Sequence, residues 1–403
     1  MKNNQNIKIL MLLESSFPPD IRVEKEVNAL IESGFDVDLI CANNGTQTNI
    51  EIWNGMKIYR LPKKNKLSIL RSLIFTIQKD YFIFILQHLK NNCYDAIHVH
   101  DLKLVPTALE IKKTHDIKVI ADFHENYPEG VREWTKLTKG IKKIINLFFN
   151  SYNKWIKIEK EVVFKVDYII AVVLEMKEKL LLKHTKLDPN KIVVVSNLED
   201  INFIKYDNLD YNLIDKYKNF FTIVYVGGFG MHRGLDTAIK GMKLIKESSI
   251  KLILVGKGSK EITNYLEQLV VENNLTDKVI FEGWQPFHRV LSYQKLADIC
   301  IVPHNSNEHT DNTIPHKLYQ YMMVGKPIIV SSCKPLARVV KDAKAGLVFE
   351  AGNETDFAQC VEKLYLDMLL RKELGENGLI YTFEKNNTWQ EESKKLIEFY
   401  RGL

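Results

Sequence analysis

Short, almost uninterrupted apolar runs recur along this chain. Each is followed by a polar or glycine-rich turn and then by apolar residues at three- and four-residue spacing. The first run, residues 7–13, gives way to Ser15-Ser16-Phe17-Pro18-Pro19-Asp20, after which Val23, Val27, Leu30 and Ile31 mark a helix that stops at Gly34. Strand, loop, helix and turn form the unit of a parallel sheet, whose strands are buried on both faces and therefore read as continuous apolar runs. Further runs predict strands at 37–41, 97–100, 119–123, 168–172 and 192–195, with a helix over 105–113. An open α/β domain over residues 1–200 follows from that alternation.

From 201 to 218 the pattern dissolves into Tyr, Asn, Asp and Lys without period, which predicts a linker. Alternation restarts with strands at 221–226, 251–255, 279–281, 299–302, 328–330 and 347–349, a second α/β domain over 219–387. Trp389, Leu396, Ile397, Phe399 and Tyr400 then predict a last helix with no strand after it, either closing the second domain or, as residues 388–403, crossing back to the first. The fold class is therefore α/β, with two Rossmann-like, doubly wound domains facing a central cleft. A chain of 403 residues exceeds what one core serves. Ligands of such sheets bind beyond the strand C-termini, so every loop after a strand is a candidate site.

Composition narrows the class. With 45% hydrophobic and 26% charged residues and a net charge of +6, the chain is ordinary globular protein and gives no reason to expect a nucleic-acid partner. The five cysteines are scattered without a C-x-x-C pair, so neither disulfides nor a zinc site is expected and a reducing cytoplasm fits. The apolar run at 9–13 is closed by Glu14 and reads as a strand, not as a signal peptide, and no run approaches the ~18 residues of a spanning helix.

Charge distribution adds one expectation. Lys57, Arg60, Lys63, Lys64, Lys66, Arg71 and Lys79 occur with no acid before Asp80, interleaved with apolar residues at helical spacing. Lys136, Lys139, Lys142, Lys143, Lys154 and Lys157 likewise fall between Glu133 and Glu159 among aromatic and aliphatic residues. Basic amphipathic segments of this kind favour an anionic membrane surface, and hence a peripheral location at the inner face of the cell membrane; packing of the apolar faces on the domain is the alternative.

Four loops carry candidate chemistry. In residues 311–330, Thr313 can cap a helix that Pro315 starts and Gly325 ends, and Lys317 sits in its first turn. Free N–H groups and a positive helix end there would suit a phosphate or diphosphate. The turn from Gly227 to Asp236 offers glycines for close backbone approach and Arg233 for phosphate oxygens. Asp122-Phe123-His124-Glu125 puts a histidine beyond a buried strand, suited to a sugar hydroxyl or to proton transfer. His98 and His100 share one strand face with no third ligand evident, so no metal site is expected.

Pro-Asp-Ile-Arg-Val-Glu-Lys-Glu near the N-terminus, Asp-Phe-His-Glu-Asn-Tyr-Pro, Val-Gly-Gly-x5-Arg-Gly-Leu-Asp and Pro-His-Lys-Leu-Tyr-Gln-Tyr-Met-Met-Val-Gly-Lys-Pro-Ile follow one another along the chain. In that order they resemble family-four retaining glycosyltransferases of GT-B architecture, in the branch common in bacterial surface-polysaccharide assembly. The resemblance implies metal-independent transfer of a hexose or N-acetylhexosamine from a UDP- or GDP-sugar, a co-substrate and not a cofactor, to a lipid-linked glycan. It puts Gly227, Gly228, Arg233, Thr313, Lys317 and Gln320 at the donor, Trp284 near the base, His124 and Asn312 at the transferred sugar, and Asp20 and Arg22 on the acceptor side. Where the family often has glutamates this chain has Asn312 and Gln320, and Gly228 replaces a frequent arginine. Asn312 and Gln320 keep open a catalytically weak nucleotide-sugar-binding partner of another transferase subunit, and a nucleotide-sugar epimerase, which shares the architecture, is a further alternative for which no paired acids are evident.

Overall fold

The computed structural model describes residues 7–63, 71, 73–136, 140–205 and 209–403. Lys64, Lys66, Leu67, Leu70 and Lys139 of the basic segments lie outside the described residues, as do the side chains of Ile141, Lys142, Ile144 and Ile145. The chain forms two compact units, Met1–Ser196 with Glu392–Leu403, and Asn197–Glu391.

In the first unit, β1 (Lys8–Ser16), β2 (Asp36–Ala42), β3 (Ile50–Trp53), β4 (Met56–Leu61), β5 (Ala96–His100), β6 (Lys118–Phe123), β7 (Tyr168–Ala171) and β8 (Ile192–Val194) make one sheet. Its order is β3-β4-β2-β1-β5-β6-β7-β8. In the second unit, β9 (Phe221–Val226), β10 (Ile250–Val255), β11 (Val279–Gly283), β12 (Ile299–Val302), β13 (Ile328–Ser331) and β14 (Gly346–Phe349) are ordered β11-β10-β9-β12-β13-β14. All described pairings are parallel except β3 with β4. Each sheet starts near its middle, winds one way, and then restarts on the other side. The result is a doubly wound α/β unit with a switch point between β1 and β5 in one case and between β9 and β12 in the other.

The strands are where the apolar runs are, and for the expected reason: Ile9 to Leu12, Ile223 to Tyr225 and Ile299 to Val302 are fully buried. The last helix, Trp389–Arg401, contributes its residues from Glu392 onward to the first unit. There Tyr400 is buried and its hydroxyl lies 2.6 Å from His98 Nδ1.

Three expectations are corrected. Residues 201–218 are not an irregular linker: they belong to the second unit and include the helix Tyr211–Tyr217, which buries Leu213 and Tyr217. Two apolar residues one turn apart are too few to register as a period. The β3–β4 hairpin was not anticipated, although Asn54-Gly55 between alternating apolar residues is a strong hairpin signal. That hairpin also removes Arg60 from the basic surface. Arg60 is 1% exposed, pairs with Glu51 at 2.6 Å, and donates to the carbonyls of Phe17 and Thr48 at 2.8 Å each. In the second basic segment the half-buried Lys154 also spends its ammonium on the backbone, donating to the carbonyls of Leu73, Ile74 and Phe149 at 2.5–3.1 Å.

Arg60→Gln should therefore lower unfolding free energy by about 3 kcal/mol, because it removes a buried guanidinium, breaks its pair with the half-exposed Glu51 and leaves buried carbonyls unmet. Lys57→Gln, on the exposed side of the same strand, should stay within ~0.5 kcal/mol. Urea titration of both variants checks the contrast.

Candidate functional site

The switch point of the second unit is built from the loops that leave β9 and β12. Tyr225, fully buried near the end of β9, donates its hydroxyl to the Gly228 carbonyl at 2.8 Å and so fixes the glycine turn. Lys317 Nζ stands 3.7 Å from the centroid of the Tyr225 ring, a cation–π contact that holds the ammonium over the turn. Gly227 makes the room: at φ +136° it suits glycine, and a Cβ there would meet Lys317 Nζ at 2.4 Å.

Arg233 closes the other side. Its Nη1 donates to His304 Nε2 at 3.2 Å, and because a guanidinium only donates, that ring nitrogen carries no proton. His304 follows β12 by two residues and is 2% exposed. Burial, then Arg233 and Lys317, push its pKa well below the usual histidine value. Burial and then Arg233 likewise push Lys317 well below the usual lysine value. Among the described residues neither Lys317 nor Arg233 has a carboxylate within ion-pair distance, so the pair is short of negative charge.

The helix that follows is shorter than expected and begins later. It spans Lys317–Met323, and Thr313 is not its cap: the Thr313 hydroxyl donates to the His309 carbonyl at 3.3 Å and Pro315 precedes the helix. The expected free N–H groups are also largely used, since Leu318 donates to Pro315 and both Tyr319 and Gln320 donate to His316, at 3.0–3.2 Å. The N–H groups of Leu318, Tyr319 and Gln320 are therefore not free for an anion.

The other donor-side candidates are placed as follows. Gln320 is 5% exposed, donates to Glu199 Oε2 at 2.8 Å and accepts from Gln294 at 2.9 Å. Asn312 is 5% exposed and donates to the Glu308 carbonyl at 2.7 Å. Trp284 is 64% exposed, with Lys257 Nζ 5.9 Å from its ring, and a Cβ at Gly228 would make an ordinary contact with the Lys257 carbonyl oxygen at 3.9 Å. Sequence reasoning missed His304, Tyr225 and Glu199. The first two flank the switch point, and strand order is not written in any one segment.

In the first unit the ends of β5 and β6 and the helix Ile21–Glu32 bring a polar cluster together. Asp122 Oδ2 lies 2.7 Å from His124 Nε2, 3.2 Å from His98 Nε2 and 3.4 Å from His100 Nδ1. His100 Nδ1 and His124 Nε2 are 3.0 Å apart, and one proton lies between them. Burial alone would lower His124, but the Asp122 carboxylate holds it up to about 9. Burial and then His98 press His100 down to about 3. Burial raises Asp122, and the imidazoles, His124 foremost, outweigh it and keep the carboxyl well below its usual value. Asp20 caps the helix Ile21–Glu32 by accepting the Arg22 N–H at 3.2 Å, and Arg22 Nη2 returns to it at 3.3 Å.

The expectation that no further ligand stands near the His98–His100 strand face is corrected for His100. Glu26, His100, Asp122 and His124 present ligand atoms within 4.8 Å of one another, a set able to take a divalent cation, in which the proton on His124 already balances Asp122.

Two family models match the chain: residues 21–203 match one described as Glycosyltransferase Family 4, and residues 212–379 match one described as Glycosyl transferases group 1. The chain is 25% identical over 231 residues to the capsular polysaccharide biosynthesis glycosyltransferase CapM of Staphylococcus aureus, 55% of this chain and 58% of that protein. It spans 66%, 60% and 44% of the lengths of three further curated relatives. Its fold is similar to sucrose-phosphate synthase from Thermosynechococcus elongatus, TM-score 0.79 at 17% identity over 98% of this chain and 99% of that one. It is also similar to Anabaena Alr3699/HepE in complex with UDP-glucose, TM-score 0.73 at 12% identity over 99% and 100%. The architecture is GT-B: glycosyltransferase structural neighbours and two parallel-sheet α/β units.

The His124 pair gives a signed pH dependence. With its folded pKa raised from 6.5 to about 9, His124 contributes stability that is present below pH 6.5 and lost as pH rises through about 9. His100, depressed to about 3, works the other way, its contribution disappearing as pH falls below 6.5. Denaturant unfolding from pH 6.5 to 9.5 should show wild type losing on the order of 2–3 kcal/mol more than His124→Gln.

Proposed function

Because the chain carries a glycosyltransferase family 4 domain in one half and a glycosyl transferases group 1 domain in the other, we propose that it is a retaining, metal-independent transferase. Its substrates are a UDP- or GDP-linked hexose or N-acetylhexosamine and a lipid-linked glycan of surface-polysaccharide assembly. CapM and the UDP-glucose complex of HepE support the product class and the donor class respectively.

The observation that carries the chemistry is the Lys317–Arg233 pair. Departure of a nucleoside diphosphate puts growing negative charge on phosphate oxygens, and two cations already held together without a carboxylate meet that charge without rearranging. In the first unit, His124 commits Nε2 to Asp122 and keeps Nδ1–H as a charged donor for a sugar hydroxyl. Asp20 and Arg22 serve the acceptor, and Asn312, Gly227, Gly228 and Trp284 complete the donor side.

The lipid side of the proposal rests on the first unit's surface. Phe75 is 60% and Phe148 is 70% exposed, among exposed Arg71, Lys79 and Lys143. A cavity of about 550 Å³ there is lined by Phe75, Ile77 and Phe82 together with Arg71 and Lys79 and one carboxylate, Asp80. Aromatic residues beside cations suit an anionic lipid headgroup and its chain, which would keep the protein at the cytoplasmic face of a membrane. Among the described residues no helix is long and apolar enough to cross one.

Incubation with UDP- and GDP-sugars and extracted lipid acceptors should release nucleoside diphosphate. Lys317→Ala and Arg233→Ala should each lower kcat/KM by roughly a hundredfold, the scale of losing one charge-stabilising group. Absence of release from every donor would sink the transferase reading. Separately, co-sedimentation with vesicles rich in anionic lipid should fall for Arg71→Glu/Lys143→Glu, and unchanged binding would remove the electrostatic part of the membrane proposal.

A further inference from the structure

Glu199 is a buried carboxylate held by amides and short of donors. It is 3% exposed in the first loop of the second unit, where the Trp389 N–H donates to its carbonyl at 2.9 Å. Its Oε1 accepts the Asp200 N–H at 2.9 Å and its Oε2 accepts from Gln320 Nε2 at 2.8 Å. The nearest ionisable donor is His316 Nδ1, at 3.8 Å. A carboxylate can only accept, so Gln320 must turn its NH2 toward Glu199 and its carbonyl toward Gln294 Nε2, at 2.9 Å. Gln294 Oε1 is then buried with no hydrogen-bond partner. Each Glu199 oxygen keeps a second lone pair. The cluster therefore has acceptors in excess, in a place where an unmet acceptor is costly.

Its position limits what could supply the donors. Gln320 follows Lys317 by three residues on the helix Lys317–Met323, about 4.5 Å along the axis. A ligand whose diphosphate lies at Lys317 and Arg233 would have its next group, a sugar with adjacent hydroxyls, about one turn away.

We propose that Glu199 is the residue that accepts hydrogen bonds from the ribose hydroxyls of the nucleotide donor, and that Gln320 is the positioning amide that holds its carboxylate. This rests on the donor-site reading above and deepens it. The glutamate that the family resemblance leads one to expect at position 320 is, in charge, supplied from position 199. Restoring glutamate at 320 alone would set two buried carboxylates at hydrogen-bond distance with no cation between them, which destabilises both.

The test is binding, by calorimetry on the full chain, of pyrophosphate, UDP, GDP, and the 2′-deoxy and 3′-deoxy forms of whichever nucleotide binds. Wild type should prefer the ribonucleotide roughly tenfold or more, the scale of one charge-assisted hydrogen bond. Glu199→Gln should lose most of that preference while pyrophosphate affinity stays within about twofold, which separates a ribose contact from a folding defect. Gln320→Glu should weaken ribonucleotide binding, and the exchange Glu199→Gln/Gln320→Glu should recover it. A preference that survives Glu199→Gln, or tighter binding by Gln320→Glu alone, overturns this inference and leaves the donor site standing. If wild type binds neither pyrophosphate nor any nucleoside diphosphate, both readings fall.

Discussion

Two cations kept together without a counter-charge are the constraint around which the second unit is arranged. Beyond the effect of burial, Arg233 depresses the basicity of Lys317, and both depress that of His304, a cost that only the surrounding structure sustains. The Tyr225 ring takes the ammonium on its face, the absence of a side chain at Gly227 leaves it space, and an unprotonated His304 nitrogen receives the guanidinium. None of these contacts neutralises the charge. An anion would, and the site is in that sense prepared for one before it arrives.

The first unit resolves its charges internally. Asp122 meets three imidazoles, one of which, His124, is held protonated while His100 is held neutral. The difference follows from who faces whom: His124 sees Asp122 at the shortest distance, whereas His100 is pressed by burial and by His98. A shared carboxylate thus fixes both a tautomer and a protonation state, the usual precondition for a histidine that donates to a ligand. Tyr400, from the last helix, braces His98 on the far side.

Much of the candidate site could be read from residues in order. Gly227, Arg233 and His124 each stand just beyond an apolar run, and Lys317 opens a helix between two such runs; chemical type together with those positions singled them out as candidates. The detail that failed was local geometry. Thr313 and Pro315 looked like a helix start, yet the helix begins at Lys317 and the N–H groups of Leu318, Tyr319 and Gln320 are already bonded, which shifts the anion-binding capacity toward the Lys317 and Arg233 side chains. Arg60 and Lys154 looked like surface charge because basic residues usually are; both instead satisfy backbone carbonyls inside the unit. A periodic pattern reports which face of an element is apolar, but not which carbonyl a long cation will reach.

By itself the sequence determined the class of fold, since apolar runs alternating with helical periodicity admit little but doubly wound α/β units, and it determined which residue types stand at the strand ends. What the tertiary structure alone decided is which of those ends meet. β9 lies beside β12 across 72 intervening residues, and β5 beside β6 across 17, and those pairings bring Arg233 to His304 and His100 to Asp122. The same holds for Glu199, far along the chain from Gln320 yet 2.8 Å from it in the fold. Strand order and long-range pairing are set by the packing of whole sheets and helices, a balance over the entire core that no local stretch of sequence records.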